Sequence, residues 1–248
     1  MRVRFAKEIV AEILLPEKQT GRVAILAIGL PSSPSKKEAL QFLAGQGYVA
    51  ILPRYRGTWE SEGSFLEKSP ALDIRDIIAE LEKRSSVTDL YSGEIHSIRV
   101  SAIHLFGASF GGPAVLLNSH LPLVKKVIAL SPVLDWKSEG ESEPFSFFVR
   151  FTREAFGSAF RPKHPKDWQK LIDTAFYNPL DHTAAIVGKK ILIIHAKDDA
   201  VVPCQPLIAF AEKTQAAYYL KPHGGHLSLT SLTALFYWKK IAAFLDKK

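Results

Sequence analysis

Ile103-His104-Leu105-Phe106-Gly107-Ala108-Ser109-Phe110-Gly111-Gly112-Pro113-Ala114-Val115-Leu116-Leu117 decides how this chain is read. Its first four residues are an apolar run of strand type, and its last five an apolar helical run. Between them lies Gly-x-Ser-x-Gly, which arises by chance in roughly one chain in ten of this length at average composition. The flanking strand and helix give it weight. A serine on a sharp strand-to-helix turn sits in a strained backbone conformation, and its neighbours crowd the adjoining elements. Glycines on either side remove the Cβ atoms that would clash. Such a turn lifts Ser109 Oγ above the sheet edge and aims the start of a helix at it. The alternative is an ordinary glycine-rich turn with no chemistry.

A serine hydroxyl is a poor nucleophile at neutral pH and needs a base and an orienting acid. Ile193-Ile194-His195-Ala196-Lys197-Asp198-Asp199-Ala200-Val201-Val202-Pro203 offers two carboxylates behind a later apolar strand. Asp199 is favoured, because Val201-Val202-Pro203 follows it at the spacing expected beyond an acid loop. Asp198 is the other candidate, or else a cap for the following helix. Lys221-Pro222-His223-Gly224-Gly225-His226-Leu227 follows the last strand, in a glycine-bearing loop able to bring an imidazole over the serine. His226 is the favoured base and His223 the alternative. His96, His104, His120, His164, His182 and His195 are assigned structural or surface roles.

Outward from these loops the chain alternates strand and helix. Strands are expected at Arg22–Ile28, Tyr48–Leu52, Val100–Phe106, Val124–Leu130, Lys190–Ile194 and Ala217–Leu220. Helices are expected near Lys36–Gln46, Leu72–Lys83, Gly111–Asn118, Pro206–Thr214 and Leu229–Leu245. Apolar runs buried on both faces and separated by amphipathic stretches imply a mostly parallel sheet with helices on both sides. Arg2–Leu15 fits an antiparallel hairpin at its edge. The expectation is a single α/β domain over residues 1–248, with residues 134–180 inserted before the acid-bearing strand as a small helical cap. That insertion is rich in aromatics, among them Trp136, Phe145, Phe148, Phe151, Phe160, Trp168 and Tyr177. They either pack its own helices onto the domain or form a lid over a pocket.

Composition narrows the function classes. The chain has 248 residues, 47% hydrophobic and 23% charged, within the range of globular proteins. Its single cysteine, Cys204, cannot form an internal disulfide. Lys7 and Glu8 interrupt what would be the apolar stretch of a secretory signal, and no apolar run approaches the ~18 residues of a membrane span. The expected location is the cytoplasm. The net charge of +7 comes from scattered basic residues interleaved with acids, without stacking aromatics, so a solvated surface is expected and no nucleic-acid partner. No cluster has metal-ligand spacing, and no phosphate loop or dinucleotide fingerprint is present, so neither metal nor cofactor is expected. Arg56 and Glu62 are expected to pair and hold the loop after the Tyr48–Leu52 strand.

The order serine, acid, histidine, each behind its own strand, resembles that of α/β-hydrolases and differs from those of chymotrypsin and subtilisin. With Gly29-Leu30-Pro31 and Arg54-Tyr55-Arg56-Gly57-Thr58-Trp59-Glu60-Ser61-Glu62-Gly63 added, the chain resembles one branch in particular. That branch is the single-domain esterases and prolyl-oligopeptidase-like serine hydrolases related to acylaminoacyl and dipeptidyl peptidases. The resemblance spans nearly the whole chain. It implies an α/β-hydrolase fold, a Ser109–His226–Asp199 triad, and an oxyanion hole built from the backbone amides of Leu30 and Phe110. Phe110 follows the nucleophile at a helix start, where amides are unpaired, and Pro31 has no N–H to offer in place of Leu30. Ile28 stands where many relatives carry histidine. The expected reaction is hydrolysis of a carboxylic ester or thioester of a small to medium acyl group. Cleavage of short peptides is the alternative, and a non-catalytic binding role the third.

Overall fold

The computed structural model describes residues 1–247. Its strands are β1 (Arg2–Phe5), β2 (Ile9–Leu14), β3 (Arg22–Ala27), β4 (Tyr48–Pro53), β5 (Ser86–Thr88), β6 (Ile95–Ser97), β7 (Ala102–Ala108), β8 (Val124–Leu130), β9 (Ile191–Ala196) and β10 (Ala217–Lys221). Eight of them form one sheet in the order β1-β2-β4-β3-β7-β8-β9-β10, and β5 and β6 pair apart from it. From β4 to β10 every neighbouring pair is parallel. The N-terminal hairpin extends the edge antiparallel, as its alternation suggests. Strands β4 and β9 are buried at every residue, which is why they read as unbroken apolar runs.

The helices are α1 (Lys37–Gly45), α2 (Pro70–Leu81), α3 (Gly111–Leu116), α4 (Phe145–Phe156), α5 (Thr174–Tyr177), α6 (Pro206–Thr214) and α7 (Leu235–Leu245). One element differs from the sequence reading. The closing helix, expected over Leu229–Leu245, is a 3-10 turn at Leu229–Thr233 followed by α7, with Ala234 extended between them (φ −73, ψ 125). The apolar spacing continues through the break, so periodicity alone does not reveal it. The β5–β6 hairpin leaves no sign in the sequence, because three residues per strand is too short for alternation to register.

The expected Arg56–Glu62 pair does not form. Arg56 is buried and binds Glu8 Oε2 at 2.5 Å, Asp73 Oδ1 at 2.5 Å and Asp76 Oδ2 at 2.7 Å, while Glu62 pairs with Arg4. A buried guanidinium needs carboxylates on several sides, and the β1–β2 turn and α2 flank it with them. Glu62 is near in sequence but faces outward. At the opposite end of the sheet His104 is also buried, sharing a 2.7 Å hydrogen bond between Nδ1 and the Tyr48 hydroxyl. Burial, reinforced by Arg22 and Lys126, pushes its pKa down to about 4.

Residues 134–180 add no strand to the sheet. Backbone bonds fasten their middle to the loop after β4: Trp59 N to Ala159 O at 2.9 Å, Arg161 N to Gly57 O at 2.8 Å, and Phe65 N to Arg161 O at 2.9 Å. Edge-on ring contacts continue the attachment, Phe65 lying 5.3 Å from Trp168 and 5.5 Å from Phe160. Many of the aromatics that mark this segment in the sequence therefore pack it down.

Candidate active site

The sheet's strand order reverses between β3 and β7. The chain passes from β3 to β4 on one side, then returns to β7 and adds β8, β9 and β10 on the other. A crevice opens beyond the strand ends at such a switch point. Ser109 follows β7 there, and the Gly29–Leu30 loop follows β3. The register sets Ala27 opposite Gly107, so the two loops emerge side by side.

Ser109 has φ +53, a left-handed conformation costing on the order of 1–3 kcal/mol for a non-glycine residue. Its backbone is held on both sides, with N–H donating to Leu130 O at 3.0 Å and C=O accepting from Gly112 N at 2.9 Å. The flanking glycines answer to space. A Cβ on Gly107 would strike Gly111 O and Val115, and one on Gly111 would strike Ala27 O. Gly29 is confined in the same way, since a Cβ there would lie 3.0 Å from Ser109 Cβ.

Asp199, in the loop after β9, is 7% exposed, and its carboxylate is surrounded by donors. His226 Nδ1 lies 2.9 Å from Oδ2 and 3.1 Å from Oδ1. Val201 N and Val202 N reach Oδ1 at 3.1 and 3.0 Å, and His195 Nε2 lies 3.2 Å from Oδ2. Burial alone would raise the Asp199 pKa. The bonds from His195, His226 and the Val202 amide overcome it and hold the carboxyl well below the usual carboxylate range. Because a carboxylate only accepts, His226 Nδ1 carries its proton and Nε2 is left as the free basic nitrogen.

Asp198 has a different task. It accepts from Gly224 N at 3.2 Å and Gly225 N at 2.9 Å, and lies 3.6 Å from exposed His223. Adjacent carboxylates thus divide the work: Asp199 meets the imidazole of His226, and Asp198 holds the loop that carries it. A second anchor comes from Ser131, whose hydroxyl accepts from Leu227 N at 3.0 Å. His226 lines the same cavity as Ser109, with no direct hydrogen bond between them among the described residues. Such contacts commonly close only when substrate binds.

Leu30 and Phe110 both border the cavity at Ser109, and among the described residues neither amide has a backbone acceptor. Unpaired buried amides are rare, and two beside one hydroxyl form a potential anion site. Tyrosines fix the neighbouring peptides. Tyr55 OH donates to Ile28 O at 3.0 Å and Tyr177 OH to Phe110 O at 2.8 Å. Sequence reasoning missed both roles. Tyr55 stands within the quoted Arg54–Gly63 motif, whereas Tyr177 lies 67 residues beyond Phe110 and carries no local sign. Two cavities flank Ser109. One, of about 60 Å³, is bounded by Leu30, Phe110, Val133, Trp136, Phe145 and Phe148. The other, about 230 Å³, is bounded by Gly29, Lys36, Glu143, Phe151 and His226. Among the described residues no cluster could hold a metal ion and no helix is long and apolar enough to cross a membrane.

Comparison with known proteins places this geometry. Among solved structures the chain is similar to an esterase of Pyrococcus furiosus (TM-score 0.68, 16% identity, covering 99% of this chain and 89% of that one). It is similar also to the alpha/beta hydrolase GrgF from Penicillium sp. sh18 (TM-score 0.69, 13% identity, 99% and 96% covered). A third likeness is to the acylaminoacyl peptidase of Pyrococcus horikoshii (TM-score 0.63, 18% identity), where 99% of this chain matches 40% of that one. At these identities the likeness establishes the fold. A search of curated proteins returns no match. The model of the prolyl oligopeptidase family matches residues 34–248, most of the chain. The chain therefore belongs to the prolyl oligopeptidase family, and it is a serine hydrolase of the α/β-hydrolase fold.

Proposed function

We propose that the protein hydrolyses carboxylic esters or thioesters of short acyl groups through an acyl-enzyme on Ser109. The observation that carries this reading is the pairing of His226 Nδ1 with both oxygens of Asp199, beside a strained serine and two unpaired amides. His226 Nε2 takes the Ser109 proton as Oγ attacks the carbonyl carbon, and Asp199 stabilises the imidazolium. The amides of Leu30 and Phe110 receive the oxyanion, each worth about 3 kcal/mol of barrier. His226 then protonates the leaving group, and water attacks the acyl-enzyme by the same route.

The 60 Å³ cavity, largely apolar but with Glu139 and Glu143 on its wall, supports a short acyl group, having room for about four to six heavy atoms. Residues 134–180 act as a cap, contributing Trp136, Phe145 and Phe148 to its wall. Hydrolysis of p-nitrophenyl esters from acetate to octanoate, by wild type and Ser109→Ala, tests the proposal. The expected result is activity highest at the short end and abolished in the variant, together with loss of fluorophosphonate labelling. Undiminished turnover in Ser109→Ala removes the reading. Family membership favours a second substrate class, short peptides. Peptide p-nitroanilides turned over faster than every ester, again lost in Ser109→Ala, would select it while leaving the machinery unchanged.

A further inference from the structure

We propose that His195 is a positioning residue for acyl transfer: through its Nε2–H it orients Asp199, shares the charge of that carboxylate and so sets the basicity of His226. The inference rests on the triad proposed above. His195 lies on β9 four residues before Asp199, in the run Ile191-Leu192-Ile193-Ile194-His195-Ala196, and is fully buried. Its Nε2 faces only acceptors, Asp199 Oδ2 at 3.2 Å and Val202 O at 3.0 Å, so the proton sits on that nitrogen. Its Nδ1 is buried with no partner. An imidazole with one orphaned nitrogen is a costly filler for an apolar strand, and a leucine would fill the site without that penalty. The contact that distinguishes it from a leucine is the one to the acid loop.

The carboxylate geometry shows what the contact does. Oδ1 is fixed by the amides of Val201 and Val202, whereas Oδ2 pairs with His226 Nδ1 at 2.9 Å and also faces His195 Nε2 at 3.2 Å, whose single N–H is shared with Val202 O at 3.0 Å. A second N–H dipole beside that oxygen draws on its charge and leaves less of it for His226. Taking His195 away leaves Oδ2 to His226 alone, which makes His226 more basic and frees the carboxylate to rotate. The other charged groups around the assembly stay in place. Asp198 faces the Gly224 and Gly225 amides and His223. Lys36 and Glu143 stand on the walls of the cavity that His226 lines, and Lys221 of β10 binds the Tyr237 hydroxyl.

The test compares His195→Leu and His195→Gln with wild type on p-nitrophenyl acetate, with active sites counted by fluorophosphonate titration. Leucine removes the donor; glutamine can present its amide N–H where the imidazole Nε2 lies. In His195→Leu the acid limb of kcat/KM is expected to move up by about one pH unit and plateau kcat to fall about tenfold, at unchanged KM. His195→Gln is expected to recover most of both. A folded His195→Leu enzyme with the wild-type limb and kcat would overturn the proposal, since a purely structural residue affects only the fraction folded. Should the leucine variant not fold, nitrogen-15 NMR of wild type at pH 8 decides through the tautomer. A proton on His195 Nε2 supports the proposal and one on Nδ1 overturns it. Ser109→Ala, assayed alongside, keeps the two readings apart. Activity retained there removes the triad itself, whereas an unmoved limb with Ser109→Ala inactive removes only the role of His195.

Discussion

Tyr177→Phe deletes a single oxygen and isolates one support of the proposed oxyanion site. The hydroxyl donates to Phe110 O at 2.8 Å, and Tyr177 and Phe110 are both essentially inaccessible to solvent. The rings stay in contact after the change, with centroids 5.2 Å apart, and Trp136 still packs against both, 6.3 Å from Tyr177 and 5.8 Å from Phe110. Little cavity is created. The stability loss is therefore that of one buried hydrogen bond, about 1–2 kcal/mol. The effect on catalysis is bounded from above by complete loss of one oxyanion donor, about 100- to 1,000-fold in kcat. Residue 110 remains anchored through α3, so a tilt of its amide is expected to give only part of that, about tenfold. Urea unfolding reads the first quantity and steady-state kinetics on p-nitrophenyl acetate the second, with KM unchanged. Normal kcat in a folded Tyr177→Phe enzyme, even one destabilised as expected, would refute the argument that this hydroxyl holds the proposed oxyanion amide of Phe110 in place.

Two further outcomes are expected. His104, with its pKa depressed to about 4 against an ordinary 6.5, stays neutral in the fold while the unfolded chain takes up a proton below pH 6.5. The stability it contributes is complete above pH 6.5 and is lost as pH falls toward 4, amounting to about 3 kcal/mol over the window. Urea unfolding across that range should show a flatter pH dependence in His104→Leu, and an unaltered slope would contradict the linkage. Asp198→Ala should reduce kcat by about fivefold or less by loosening the His226 loop, while Asp199→Asn should cost orders of magnitude. Equal losses in the two variants, by steady-state kinetics, would show that they do not divide the work as described.

The sheet was legible because its strands are buried on both faces and its helices are amphipathic, so each element announces itself within about ten residues. The same holds for the serine turn. The clash that excludes a side chain at Gly107 is with Gly111 and Val115 of the following helix and leaves a mark at fixed spacing, whereas the one at Gly111 is with Ala27 at the end of β3. Where the reading went astray, the cause was distance along the chain. The partners of Arg56 are Glu8, Asp73 and Asp76, contributed by the β1–β2 turn and by α2. Nothing near Arg56 in the sequence points to them, whereas Glu62 is close by and faces away. The break at Ala234 escaped for the opposite reason, since a local change in ψ leaves the apolar pattern untouched.

What the sequence by itself determined was therefore the parallel α/β sheet, the serine turn and the order of serine, acid and histidine, because each rests on periodicity or on steric limits within a few residues. Only the tertiary structure decided which of two adjacent carboxylates meets the imidazole, that His195 backs the same carboxylate, and that Tyr55 and Tyr177 steady the peptides around the two unpaired amides. Apart from His195, four residues before Asp199, those contacts join segments 27 to 67 residues apart that the fold brings together. A hydrogen bond between such residues depends on how the layers pack, and local sequence carries no record of it.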